Sequence, residues 1–127
     1  MATGVSAYLA NSWLDALGNN TSYAVTQVYV KLHVSDPGPN ATSGAATETT
    51  RKAASFAAAS SGSLASDAAL TWTNISGSQD ATHFSAWDAV TGGNFLFSGT
   101  VTANAYTAGD TFTIASGSLT VSLTVAS

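Results

Sequence analysis

The chain has 127 residues, of which 45% are hydrophobic and only 8% are charged, whereas ordinary soluble domains carry roughly 25% charged residues. Its three cations, Lys31, Arg51 and Lys52, are too few to neutralise a run of phosphates, and no cysteine is present for disulfides or thiolate metal sites. No segment approaches the roughly 20 apolar residues of a membrane span, so neither a nucleic acid nor a membrane is expected as a partner.

The low charge also predicts how the surface behaves. A formal net charge of −4 gives a folded chain of this size little electrostatic protection against association. The small uncharged side chains that replace the missing charges are easily desolvated and let backbones approach closely. The composition therefore favours a protein that packs against copies of itself or against other proteins. The alternative is an extracellular domain whose composition has become rich in Thr and Ser without any role in packing.

A single helix is predicted over residues 6–17, with Ser6 as its N-cap and Gly18 after its end. Its apolar residues recur at spacings of three and four, namely Leu9, Trp13, Leu14 and Leu17. This stripe either closes one end of the β core or inserts into a neighbouring subunit. For the second role the candidate anchors are Leu9, Trp13 and Leu17.

From residue 24 onward the period of the apolar residues changes to two, which predicts strands. One face of the first strand is formed by Val28, Val30, Leu32 and Val34. The opposite, outward face is formed by Tyr29, Lys31 and His33. Prolines at positions 37 and 39 end this strand, and the small polar residues that follow predict a long exposed loop over residues 40–50.

The later strands are short and are separated by Gly, Ser and Asn. They are expected at residues 51–59, 70–73, 82–87, 94–97, 111–115 and 119–125. Residues 60–67 are predicted to be a turn-rich connection, and residues 88–93 to be the loop of a hairpin. The last two strands are expected to pair through residues 116–118, and the final one turns four apolar residues inward, Leu119, Val121, Leu123 and Val125.

One helix followed by about seven short strands predicts an all-β fold. We expect an antiparallel β-sandwich or a small barrel with one N-terminal helix. The length suits a single domain over residues 1–127, in which the helix at 6–17 accompanies a β domain at 24–127.

Groups for catalysis or metal binding are sparse. The chain has two histidines and seven scattered carboxylates, and it contains neither a Gly-x-Ser-x-Gly turn nor a Gly-rich phosphate loop that opens a helix. His33 with Asp36, and Asp80 with His83, each supply two ligands at a spacing of three, whereas a metal site needs three or four. We therefore expect no enzyme, no cofactor and no metal site.

Five aromatic residues gather in the middle of the chain, namely Trp72, Phe84, Trp87, Phe95 and Phe97. In a β domain such residues are most often core. The alternative is that an exposed pair, Trp87 with Tyr106, stacks on a sugar ring. With Asp88 and Asn94 from the neighbouring loop, this pair forms the candidate surface recognition site.

Blocks of residues along nearly the whole chain carry a resemblance to a known family. They are SAYLAN at 6–11, VYVKLH at 28–33, DPG at 36–38, RK at 51–52, FAAAS at 56–60, THFSAWDA at 82–89, GGNFLFSG at 92–99 and AGDT at 108–111. In this order the blocks resemble short tail fibre or minor tail proteins of phages that infect actinobacteria. None of them is a catalytic signature.

The resemblance implies a non-catalytic structural protein of a tailed phage, displayed on the outside of the virion. Its expected partners are copies of itself and other phage structural proteins. Two alternatives remain open at this stage. One is a decoration protein on the phage head, and the other is an attachment module that binds glycans of the host envelope.

Overall fold

The computed structural model describes residues 3–126 and, for residues 103 and 104, the backbone alone. Within that range it has one helix, α1 (Ala7–Gly18), followed by strands alone. These are β1 (Val28–His33), β2 (Lys52–Ala54), β3 (Ser63–Ala65), β4 (Leu70–Trp72), β5 (Gln79–Trp87), β6 (Phe95–Tyr106), β7 (Phe112–Ile114) and β8 (Thr120–Ser122). The predicted all-β fold with one N-terminal helix is confirmed. Residues 1, 2 and 127 of the predicted domain lie outside the described residues.

The strands form three antiparallel sheets. The largest has four strands in the order β2-β1-β5-β6, and two further sheets pair β3 with β8 and β4 with β7. The hairpin of β5 and β6 is longer than predicted and is closed at its tip by the pair Trp87 and Phe95. No helix within residues 3–126 is long and apolar enough to cross a membrane.

The predicted pairing of the last two strands is wrong. β7 pairs with β4, and β8 pairs with β3, a strand inside the segment 60–67 that was expected to be a turn-rich connection. Leu123 and Val125 are 56% and 54% exposed, so they do not face inward. An alternating pattern assigns faces to a strand but does not choose its partner, and the three-residue β3 is too short to show a period.

The loop over residues 40–50 is not a free exposed loop, as predicted, but packs back on β1. The Val34 amide donates to Gly44 O at 2.7 Å, and the Ala46 amide donates to Leu32 O at 3.2 Å. β2 pairs only with residues 28–30 of β1. The loop over residues 40–50 therefore supplies hydrogen-bond partners to the backbone groups along the rest of that edge of β1. As a result His33, predicted to point outward, is fully buried.

The buried side chains form one hydrophobic cluster that joins α1 to the sheets. Trp72 is 1% exposed, and its indole N–H donates to Thr50 O at 2.8 Å. Phe84 and Phe97 meet edge to face, with their ring centroids 5.8 Å apart. Three of the five mid-chain aromatic residues are therefore buried, whereas Trp87 and Phe95 at the hairpin tip are half-buried.

Gly99 allows the Phe84 ring to lie against β6. A Cβ atom at position 99 would stand 2.7 Å from Phe84 Cε1 and 3.0 Å from Cζ. We expect Gly99→Ala to lower the free energy of unfolding by about 1–3 kcal/mol, because a buried ring must shift to admit the methyl group. Urea denaturation measures this change. Gly18→Ala is the control, since its Cβ would meet nothing within 4 Å. Equal stability of the two variants would contradict this packing.

Candidate recognition site

The loop between β5 and β6 is held in place by Arg51. Its Nη1 donates to Ala89 O at 2.8 Å and to Gly92 O at 2.7 Å, and its guanidinium carbon lies 4.1 Å from the centroid of the Trp87 ring. A guanidinium at this distance gains a cation–π contact with the indole. Arg51 therefore ties the loop and the Trp87 ring to the start of β2.

Asp88 and Asn94 close the same loop from inside. The Asp88 carboxylate accepts from the Asn94 backbone amide at 2.7 Å and from the Asn94 side-chain amide at 3.0 Å. Gly93 has a φ of 75°, and a Cβ there would clash with Asp88 and Ala89. The structure thus brings together Trp87, Asp88 and Asn94, and it places Asn94 on the surface.

Tyr106 does not belong to this site. It is only 6% exposed, and its ring packs against Phe112 with centroids 5.6 Å apart. β5 has nine residues, and Tyr106 pairs with its first residue, Gln79, whereas Trp87 is its last. At about 3.3 Å per residue, roughly 25 Å separates the two ends of the strand. The expectation that Trp87 and Tyr106 form an exposed pair is wrong.

A partly buried chain of hydrogen bonds runs from the loop over residues 40–50 to the Trp87 indole. His33 Nδ1 lies 2.9 Å from Ser43 O, His33 Nε2 lies 2.8 Å from Ser85 Oγ, and the Trp87 indole N–H donates to Ser85 Oγ at 2.8 Å. A carbonyl oxygen can only accept, so Nδ1 carries the proton and Nε2 accepts from the Ser85 hydroxyl. These hydrogen bonds fix the position of the Trp87 indole ring.

His33 and Ser85 have the spacing of a general base and a nucleophile, but both side chains are fully buried. A substrate cannot reach the Ser85 hydroxyl, which in addition accepts from the Trp87 indole. Burial lowers the pKa of His33, although the carbonyl of Ser43 partly opposes this effect. The pair is therefore a neutral, structural link.

A cavity of about 280 Å³ opens beside Trp87. Its walls come from the start of α1, from the turn after β1 and from the tip of the β5–β6 hairpin. The residues that line it include Tyr8, Pro39, Asn40, Trp87, Asn94 and Phe95. We call this space the Trp87 cavity.

A larger and mostly apolar cavity, of about 430 Å³, lies between α1 and β8. Residues that line it include Trp13, Tyr23, Val25, Val28, Val121 and Leu123, and we call it the apolar groove. The three candidate anchors of α1 differ in position. Leu9 is only 4% exposed and belongs to the chain's own core, Trp13 is half-buried in the groove, and Leu17 is 84% exposed. Leu9 is therefore wrong as a subunit anchor.

His33 with Asp36, and Asp80 with His83, were the two pairs of possible metal ligands at a spacing of three. In residues 3–126, no three His, Asp or Glu side chains stand close enough to hold a metal ion. Asp36 accepts instead from the Gly38 amide at 2.8 Å, and His83 Nδ1 lies 2.8 Å from Thr82 Oγ1.

Arg51 itself was missed at the sequence level, and its role leads to a prediction. We expect Arg51→Leu to free the hairpin loop, because it removes two charge-assisted hydrogen bonds and the contact with Trp87. Amide hydrogen exchange at Asp88 and Asn94 should accelerate roughly tenfold or more, while exchange in the core of β1 stays unchanged. Unchanged exchange in the loop would show that Arg51 does not hold it.

Two comparisons with known proteins bear on the chain as a whole. A family model described as "Podophage GP4 fiber I protein gp80" matches residues 4–122, which is almost the entire chain. A search of curated proteins finds no match. The family match confirms the resemblance to phage fibre proteins in general. The chain belongs to the podophage GP4 fiber I protein gp80 family and is a phage fibre-type structural protein.

Proposed function

We propose that this chain is a non-catalytic component of the tail fibre, displayed on the outside of the virion. The match to a phage fibre family over residues 4–122 carries this proposal. The low charge of the chain supports it, because such a surface is suited to packing among other subunits. The burial of the His33–Ser85 pair is consistent with a role without catalysis.

We also propose that the chain belongs to the tail rather than to the head, and that the phage is one that infects actinobacteria. A decoration protein on the head would be equally exposed and would differ only in its place on the particle. Mass spectrometry of purified particles of such a phage, after their heads and tails have been separated, is expected to find this chain in the tail fraction. Its absence from the particles would contradict any structural role in the virion.

The apolar groove is the surface through which we propose that one copy packs against a second copy. Leu123 lines the groove on its β8 side and is 56% exposed. Leu17 lies one helical turn beyond the lining residue Trp13, on the same face of α1, and is 84% exposed. Clusters of exposed apolar side chains mark interaction sites in soluble proteins. None of the residues that line the groove is charged, so a neutral surface, such as this one on another copy, suits it best.

Leu17→Asp tests this surface. We expect the variant to self-associate at least tenfold more weakly in sedimentation equilibrium, because a carboxylate would have to be buried at the interface. Its free energy of unfolding should change by less than about 0.5 kcal/mol, since Leu17 is exposed. Val90→Asp is the matched control, because Val90 is 57% exposed and lies in the loop between β5 and β6 rather than on α1 or β8. Self-association of Leu17→Asp at the wild-type level would contradict the proposal.

A further inference from the structure

The Trp87 cavity combines aromatic walls with exposed amides. Trp87 and Phe95 lie with ring centroids 5.7 Å apart at the tip of the hairpin, and Tyr8 of α1, which is 42% exposed, lines the cavity with them. Apolar ring surfaces pack well against the C–H groups of a sugar ring. A volume of about 280 Å³ lies just below the range for drug-sized ligands, roughly 300–1,000 Å³, and so suits a ligand of about one or two sugar rings.

The polar groups of the cavity are the kind that recognise hydroxyl groups. Asn40 and Asn94 are exposed and line it. An amide side chain both donates and accepts, which matches a hydroxyl group that does the same. One N–H of the Asn94 side-chain amide is used on Asp88, so its second N–H and its carbonyl oxygen remain for a ligand.

No residue that lines the Trp87 cavity is charged. Two charged residues contact the cavity walls from behind and are already engaged, because Arg51 donates to the loop carbonyls and the Asp88 carboxylate accepts from Asn94. A charged ligand would therefore lose its hydration without gaining a partner of opposite charge. The chemistry of the cavity favours a neutral ligand.

The walls are fixed before any ligand arrives. Ser6 Oγ donates to Phe95 O at 2.7 Å, which joins the start of α1 to β6. The turn that carries Asn40 is closed by the Ala41 amide, which donates to Gly38 O at 3.2 Å. The Trp87 indole is held by Ser85 and Arg51. A rigid site loses little conformational entropy on binding, so even weak contacts yield measurable affinity.

From these observations we propose that the Trp87 cavity binds a neutral saccharide. Trp87, Phe95 and Tyr8 pack against its ring, and Asn40 and Asn94 bond its hydroxyl groups. The site deepens the proposed function and rests on it for its biological setting, because a fibre on the outside of a virion meets the glycans of a host surface. The binding itself is a property of the isolated chain.

The test is a titration of the ¹⁵N-labelled chain with four neutral sugars, glucose, galactose, mannose and N-acetylglucosamine, and with N-acetylneuraminic acid as a charged probe. We expect at least one neutral sugar to cause saturable NMR shifts at Asn40, Asn94 and the Trp87 indole N–H. Asn40→Ala and Tyr8→Ala should each weaken that binding about threefold to tenfold, which corresponds to the loss of one hydrogen bond or one ring contact. Both residues are exposed, so both variants are expected to keep the fold.

Asn11→Ala is the matched control, because Asn11 is exposed on α1 and does not line the cavity. It should bind like the wild type. The proposal is overturned if no neutral sugar gives saturable shifts, if Asn40→Ala and Tyr8→Ala bind like Asn11→Ala, or if the charged probe binds more tightly than every neutral sugar. Such a failure would leave the virion location untouched, since that is measured on particles. Conversely, sugar binding would survive the finding that the chain is absent from the tail.

Discussion

Replacing Trp72 with alanine is expected to lower the free energy of unfolding by about 3–5 kcal/mol. Trp72 is 1% exposed, and its ring lies 6.2 Å from that of Phe112, between centroids. The substitution removes the largest buried side chain of β4 and leaves Thr50 O without its donor. Because small domains are stable by only about 5–15 kcal/mol, the variant should unfold at a much lower urea concentration.

Trp72→Phe separates the contribution of the buried ring from that of the hydrogen bond to Thr50 O. It keeps an aromatic ring in the core but removes the 2.8 Å hydrogen bond to Thr50 O, so we expect a smaller loss of about 1–3 kcal/mol. Far-ultraviolet circular dichroism against urea measures both variants. If Trp72→Ala lost less than about 1 kcal/mol, the pairing of β4 with β7 around this residue would be in error.

The second large loss of folding stability is expected when His33 is replaced. His33→Leu keeps the side chain close to the same size, but it leaves Ser43 O without its donor and the Ser85 hydroxyl proton without its acceptor. Ser85 Oγ then keeps one partner, the Trp87 indole N–H. Loss of these two hydrogen bonds, of which the one to Ser85 is buried and the one to Ser43 O is partly buried, should lower the free energy of unfolding by about 2–4 kcal/mol near pH 7. The Trp87 indole should also become less fixed, which a change in its fluorescence would report.

The same residue makes the stability of the wild type depend on pH. Burial is the largest influence on the pKa of His33 and lowers it below the value of 6.5 for an unfolded chain. The unfolded chain therefore binds a proton that the folded chain excludes, so stability falls as the pH drops from about 6.5 through the pKa of the folded state. Urea denaturation across this window should show that His33→Leu lacks part of this fall. Identical pH profiles for the two proteins would contradict a neutral buried His33.

Periodicity predicted the helix and the faces of β1, but long-range contacts decided the rest of the fold. Ser6 and Gly18 mark α1 within one residue at each end, because caps act locally. Nothing local shows that β8 pairs with Ser63–Ala65 rather than with β7. His33 follows the alternation of an outward face, yet residues 43–46 cover it, and small polar residues give no sign that they will pack.

The candidate recognition site was predicted in part. Trp87, Asp88 and Asn94 are neighbours along the chain, so a hairpin brings them together whatever the rest of the fold does. Tyr106 was placed with them because it is aromatic, but the register of β6 puts it at the other end of the hairpin. Arg51 lies 36 positions before Trp87 in the sequence, and its contact with that ring arises only from the folded structure.

Immunogold labelling of intact purified particles, with an antibody against this chain, tests whether it is a fibre component exposed on the virion. We expect gold at the tail or at its tip. Gold over the heads would contradict the tail assignment and indicate a decoration protein. Unlabelled particles, with full reaction of the same antibody against the isolated protein, would contradict exposure on the virion altogether.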